Sequence, residues 1–112
     1  MQTLPNHSIA QLNDLCRKAP GIACRAVHTQ GIAALPDEVR SSIWEKVETF
    51  DDFNCDNDPY GEHDFGSFEH EGNRVFWKIS YYAKGDFARG SEDPADPQQT
   101  TRVLTVMLAE EY

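Results

Sequence analysis

Phe65 to Tyr82 reads FGSFEHEGNRVFWKISYY, and the fold turns on how this stretch is read. Phe65, Ser67 and Glu69 alternate with Gly66, Phe68 and His70, the period of a strand with two unlike faces. Glu71-Gly72-Asn73 is a turn signal, and Arg74 to Tyr82 is rich in β-branched and aromatic residues. Together they predict a β-hairpin. Phe76, Ile79 or Ser80, and Tyr81 are expected near the centre of the resulting sheet.

Downstream, Ala83 to Gln99 carries Gly85, Gly90, Pro94 and Pro97 and reads as a loop. Arg102 to Ala109 (RVLTVMLA) suits a strand through Val103, Thr105 and Val106, although Asp96-Pro97 could open a helix instead. A strand paired with Arg74–Tyr82 is the preferred reading, with Leu104 near the centre. Upstream, Pro36 to Glu48 reads as a helix. Pro36 suits a first turn, Asp37 and Glu38 sit at the positive end of the dipole, and Val39, Ile43, Trp44, Val47 and Phe50 form an apolar stripe. Trp44 is expected at the edge of the core. A second helix over Ser8–Lys18 presents Ile9, Leu12, Leu15 and Cys16 on one face and Gln11, Asn13, Asp14 and Arg17 on the other. Asn6 or Ser8 could cap it, and Pro20-Gly21 ends it. Ile22 to Thr29 is short, partly β-branched and bounded by glycines, hence a strand. The expected fold class is α+β, with two helices on one face of an antiparallel sheet of about four strands.

The chain has 112 residues, which fits one domain over 1–112 with residues 1–6 frayed and flexible. A formal charge of −9 repels nucleic acid and anionic membrane, so neither is an expected direct partner. Basic proteins are the electrostatically favoured partners, above all those that process nucleic acid. Cys16, Cys24 and Cys55 are odd in number and lack CxxC spacing. With no signal-like start and no long apolar run, they read as three reduced thiols in a cytoplasmic protein.

Function concentrates in Phe50–Glu71, FDDFNCDNDPYGEHDFGSFEHE, where no Lys or Arg occurs between Lys46 and Arg74. Asp51, Asp52, Asp56, Asp58, Glu62 and Asp64 are interleaved with Phe53, Tyr60 and His63, and these nine are the candidate partner-binding residues. Asn57, Asp58, Pro59 and Gly61 form turns, so the stretch reads as a rigid acidic loop leading into a strand. A calcium loop fails in both registers, since Tyr60 and Ser67, or Asn57 and His63, fall where a ligand, a glycine or the terminal Glu is needed. Glu62-His63-Asp64, with Asp58 and His70 near in sequence, could hold a metal or do acid–base work. Adjacent residues on an extended chain point to opposite sides, however, and no zinc spacing, nucleophile elbow or phosphate-cradling loop occurs. Cys55 as nucleophile is opposed by acidic neighbours, which raise a thiol pKa. His7 and His28 read as ordinary surface or core residues. No metal, cofactor or disulfide is expected.

The runs IAALPDEVR, FDDFNCDNDPYGEHDFGSFE, FWKISYY and DPADPQQTTRVLTVMLAEEY resemble the family labelled domain of unknown function 3768, over roughly Ile9 to Tyr112. The resemblance implies a small bacterial protein often carried on plasmids and other mobile elements, and it carries no established activity. Ser80 and Ala83 stand where the family pattern has acids, so no catalytic acid transfers to either position. Context and charge together make the leading expectation a non-enzymatic inhibitor of a nucleic-acid-targeting defence system, of the anti-CRISPR or anti-restriction type. Its carboxylates would mimic phosphates. A small metal-dependent enzyme built on His63 and a plain interaction or oligomerisation module are the alternatives.

Overall fold

The structure is a computed structural model that describes residues 8–112; the expected frayed segment 1–6, the alternative cap Asn6 and His7 lie outside the described residues. Ser8 caps the first helix, α1 (Ile9–Lys18), through a reciprocal box. The Gln11 backbone N–H donates to Ser8 Oγ at 3.1 Å, and the Ser8 N–H donates to Gln11 Oε1 at 2.8 Å. The face that α1 buries departs from the sequence expectation. Asn13, Cys16 and Arg17 point inward, while Leu15 is about half exposed. The inward stripe is mostly polar because it meets polar partners from three other elements.

After α1 the chain reverses through Gly21 (φ +84°), which brings Cys24 back beside Cys16. The two form a disulfide with Cα atoms 5.3 Å apart. This corrects the expectation of three reduced thiols. No sequence motif marks the pair, and only the reversal at Pro20-Gly21 makes it close. Cys55 alone is free, and it is exposed.

Strand β1 (Arg25–His28) follows, shorter than Ile22–Thr29, then a one-turn helix α2 (Gln30–Ala33) that the sequence reading did not anticipate. Helix α3 (Asp37–Thr49) starts directly after Pro36, as expected. Strands β2 (Phe65–His70) and β3 (Asn73–Ala83) form the hairpin, with Phe65 opposite Lys78 and Phe68 opposite Val75. Strand β4 (Asp86–Gly90) lies inside the stretch read as loop and pairs with the last residues of β3 across a bulge at Tyr82/Ala83. Strand β5 (Thr100–Leu108) runs antiparallel to β3 over its length, with Leu104 opposite Ile79, and settles the strand reading of this segment. A short 3-10 turn covers Ala109–Glu111.

The sheet order is β1-β5-β3-β2, with β4 also on β3. It therefore has five strands and is mixed, because β1 runs parallel to β5. The expected four-stranded antiparallel sheet is corrected on both counts, and α+β stands. Val75, Trp77, Ile79, Leu104 and Val106 from one sheet face meet Cys16, Ile32, Ile43 and Val47 from the three helices, so the helices share that face. Trp44 packs half-buried against this cluster. Phe76 lies on the opposite face, where it meets Phe65 at 5.3 Å and Tyr112 at 5.4 Å between ring centroids. No helix among the described residues is long and apolar enough to cross a membrane.

Trp77 is wholly buried, and its indole edge lies against the backbone of Gly66 on the paired strand. A Cβ at residue 66 would stand 2.4 Å from Trp77 Nε1. Gly66→Ala is expected to displace the indole and cost about 1–3 kcal/mol by overpacking, read from the urea midpoint.

The C-terminal turn is pinned by Glu111, which accepts from Thr29 Oγ1 at 2.5 Å and from the Gly31 and Leu108 backbone N–H groups at 2.9 Å each. The Thr29 hydroxyl, then these backbone donors, hold the Glu111 carboxyl below its ordinary 4.5. A depressed folded pKa means stability present above the unfolded value and lost as pH falls through the folded one. Thermal melts from pH 7 to pH 3 should therefore show Glu111→Gln less stable near neutrality and less acid-sensitive. Asp64 acts with the opposite sign, because burial, then Glu62, raises its pKa.

Candidate functional site: an acidic loop braced by the first helix

Residues 51–64 cross from the end of α3 to β2 without regular structure, so side chains must satisfy much of the backbone. Asn54 Oδ1 accepts from the Asp56 and Asn57 N–H groups at 2.8 and 3.2 Å, and Asn57 returns a bond to the Asp52 carbonyl at 2.7 Å. Asp58 is 9% exposed, and its Oδ1 accepts from the Glu62 and His63 N–H groups at 3.0 and 3.1 Å. Gly61 (φ +66°) makes the turn, and His63 (φ +57°) holds a left-handed conformation uncommon for a residue with a Cβ.

Helix α1 braces this loop from below. Asn13, fully buried, donates from Nδ2 to the Glu62 carbonyl at 3.0 Å and to the Tyr81 hydroxyl at 2.8 Å. Its Oδ1 accepts from Arg102 Nε at 2.8 Å. Tyr81 in turn donates to Glu62 Oε1 at 3.0 Å. Burial pushes the Tyr81 hydroxyl well above its usual range and pulls Arg102 below its own. Arg17 donates to the Val47 and Phe50 carbonyls at 3.0 and 2.8 Å, closing the C-terminal end of α3, and pairs with Asp14 at 2.6 Å. Its guanidinium stands 4.9 Å from the Trp77 ring centroid and 5.3 Å from that of Phe53.

His63 is held on three sides. Its Nδ1 lies 2.9 Å from Asp14 Oδ1, its Nε2 lies 3.7 Å from Asp58 Oδ2, and its ring stacks on Phe53 at 3.9 Å and 3°. A cleft of about 740 Å³ opens beside it, lined by Asp14, Arg17, Lys18, Glu48, Phe53 and His63 among others.

The nine sequence-predicted residues thus divide. Asp58, Glu62, Asp64, His63 and Phe53 turn toward the domain and take part in the bracing; the Asp64 carbonyl accepts from the Ile79 N–H at 2.9 Å. Asp51, Asp52, Asp56 and Tyr60 face outward, with Tyr60 87% exposed. His63 is brought to Asp58 and to the unanticipated Asp14, while Glu62 pairs with Tyr81. His70 is on β2 beside Glu71, at 3.3 Å, and takes no part. Among the described residues no group of three or more His, Cys, Asp and Glu side chains is arranged to hold a metal ion. Asn13, Asp14, Arg17, Tyr81 and Arg102 were not among the sequence candidates. Their only sequence signal is a polar pair, Asn13 and Arg17, spaced i, i+4 and flanking Cys16.

An open mixed sheet covered on one face, with an acidic loop pinned at the α1–α3 corner, defines an α+β domain whose accessible chemistry is carboxylate and aromatic. The chain belongs to the family described as Protein of unknown function (DUF3768), whose profile matches residues 28–111. That span is shorter than the Ile9–Tyr112 resemblance and leaves α1 outside it. Neither the curated proteins nor the solved structures contain a match to the chain.

Asn13→Ala would leave the Glu62 carbonyl, Tyr81 and Arg102 each short of a partner in one step. Three hydrogen bonds lost at a buried side chain, with Tyr81 keeping Glu62 and Arg102 keeping the Pro94 carbonyl, predict a loss of about 2–4 kcal/mol. Chemical denaturation checks it, with faster amide exchange expected across residues 51–64.

Proposed function

We propose that this protein is a non-enzymatic binding module that presents a rigid acidic–aromatic loop to a basic, nucleic-acid-processing protein partner. The observation that carries the reading is the sorting of side chains within one loop. Asp58, Glu62, Asp64 and His63 face the domain, while Asp51, Asp52, Asp56 and Tyr60 are exposed. A loop ordered in advance binds with less entropy loss than a flexible acidic tail of equal charge. Carboxylates on such a frame suit the lysine and arginine rows that normally grip phosphates. An inhibitor of a defence system of the anti-CRISPR or anti-restriction type, acting in the cytoplasm and carried on a mobile element, is the biological form of this proposal that charge and family resemblance favour. A plain interaction module would use the same surface on a target of another kind.

A second reading rests on a different observation: His63 lies between Asp14 and Asp58 at the lip of a cleft of about 740 Å³. A histidine oriented by a carboxylate is the elementary unit of general acid–base catalysis. Against it, Asp58 already accepts two backbone N–H groups and the Phe53 ring covers one face of the imidazole.

Affinity capture from nuclease-treated bacterial lysate identifies the partner, and variants then test the surface. Single Asp51→Asn, Asp52→Asn or Asp56→Asn changes should each weaken binding by about 0–1 kcal/mol, because exposed ion pairs are individually weak. Reversing all three to Lys should abolish binding, and affinity should fall steeply with salt. Tyr60→Ala should cost about 2 kcal/mol or more if the ring seats at the interface centre. DNA should compete with the protein for its partner. Loss of biological activity in His63→Ala with affinity and fold unchanged would instead establish the acid–base reading.

A further inference from the structure

We propose that the Cys16–Cys24 disulfide is a redox latch that sets how firmly α1 holds the acidic loop. Cys16 is fully buried in the last half of α1, and Cys24 lies directly before β1, partly accessible. The bond therefore ties the helix to the edge strand of the sheet across a separation of eight residues. Both ends need that tie. Strand β1 has four residues and bonds to β5 alone, on one side only. The connection between them turns at Gly21 and holds Ile22 at 90% exposure, so the Ala19 carbonyl, accepting from the Ile22 and Ala23 N–H groups, and a Pro20–Cys24 bridge secure it more than side-chain packing does.

The same helix supplies Asn13, Asp14 and Arg17, the three residues that grip the loop and the end of α3. Arg17 lies inside the ring closed by the disulfide. Loosening the ring thus acts on the residue that seats both α3 and Phe53. A disulfide in a reducing compartment is as a rule transient or redox-sensing, whereas a structural one belongs to an oxidising compartment. In the cytoplasmic setting of the proposed function, a dithiol reductant opens the latch. One of its thiolates attacks the sulfur of Cys24, the less buried residue of the pair, and Cys16 leaves as a thiolate that takes up a proton. The second thiol of the reductant then resolves the mixed disulfide. The reductant departs as a cyclic disulfide, and Cys16 and Cys24 each end as a thiol. Two electrons and two protons have passed to the protein. With its brace loosened, the loop presents its outward carboxylates less rigidly; that consequence and the reducing setting rest on the proposed function above.

The test uses the full chain carrying Cys55→Ser, purified without reductant and alkylated under denaturing conditions before and after dithiothreitol. The expected masses show no alkyl groups before reduction and two after. Hydrogen exchange on the native protein should then quicken on the order of tenfold over residues 9–18 and 51–64 on reduction, as local opening loses the restraint of the closed ring. The Cys16→Ser/Cys24→Ser variant should exchange at the fast rate with or without dithiothreitol. Two alkylated cysteines before reduction, or loop exchange unchanged by reduction, would overturn the latch. No partner enters these measurements, so their failure leaves the acidic-surface reading standing. Charge variants that fail to alter partner binding would sink that reading without touching the latch.

Discussion

A buried primary amide is tolerable only when its donors and acceptor are all engaged, and the Asn13 side chain is fully buried. It meets the requirement by bonding to the loop at Glu62, to β3 at Tyr81 and to β5 through Arg102. One side chain thereby ties α1 to the β2 end of the loop and to the two central strands of the sheet. Arg17, one turn on, does the same for the open carbonyls at the end of α3. Replacing either by an apolar residue alone would leave its partners each short of a hydrogen bond at a buried or part-buried position. The corner is therefore specified by polar satisfaction rather than by hydrophobic area, and the apolar cluster around Trp77 lies behind it.

This changes what the formal charge of −9 means for function. Two carboxylates of the acidic stretch, and Asp14 of α1 beside it, are committed to contacts within the domain. Asp58 stands in for backbone partners in the loop, Glu62 receives the Tyr81 hydroxyl, and Asp14 faces both Arg17 and His63. Their field at the surface is partly cancelled by the groups they hold. Among the described residues, the Asp51, Asp52 and Asp56 side chains make no such bond to another element of the domain. The outward-facing charge of the loop is thus smaller than the composition suggests. A small, fixed set of carboxylates discriminates among targets by spacing, where a diffuse cloud of charge does not.

Periodicity carried much of the fold. The stripe from Val39 to Val47, the hairpin about Gly72 and the β-branched run Val103–Val106 all report burial on a local repeat, so they were legible. What escaped is non-local. Strand β1 is parallel to β5, a pairing between residues nearly eighty positions apart that leaves no trace in either segment. Strand β4, DFARG, is exposed throughout and bonds only to the end of β3, so it has no buried alternation to read. In α1 the apolar period pointed to Leu15 as core, yet Leu15 faces solvent and Asn13 and Arg17 do not. Their burial depends on Tyr81, Arg102 and the Val47 and Phe50 carbonyls, none of which is near in sequence. The acidic loop was found as a stretch, but its division into inward and outward residues needed the helix beneath it.

The physical unit is also larger than the span of the family match. Residues 28–111 contain β2 to β5, α3 and the whole loop, but Asn13, Asp14, Arg17, both disulfide cysteines and all of β1 except His28 precede that span. A chain lacking them would take Cys16 out of the apolar cluster that includes Ile43 and Val47, and would leave the α3 carbonyls at Val47 and Phe50 without their guanidinium. Tyr81 and Arg102 would lose the amide between them, and His63 would keep only its more distant carboxylate. The loop would retain its own Asn54–Asn57 and Asp58 turns, which are local, while losing the contacts that fix its orientation on the domain. Shape within the loop and placement of the loop are therefore separate properties with separate causes. The first is encoded between residues 52 and 63. The second is supplied by a ten-residue helix whose own position depends on a buried amide, a guanidinium and the bond from Cys16 to Cys24.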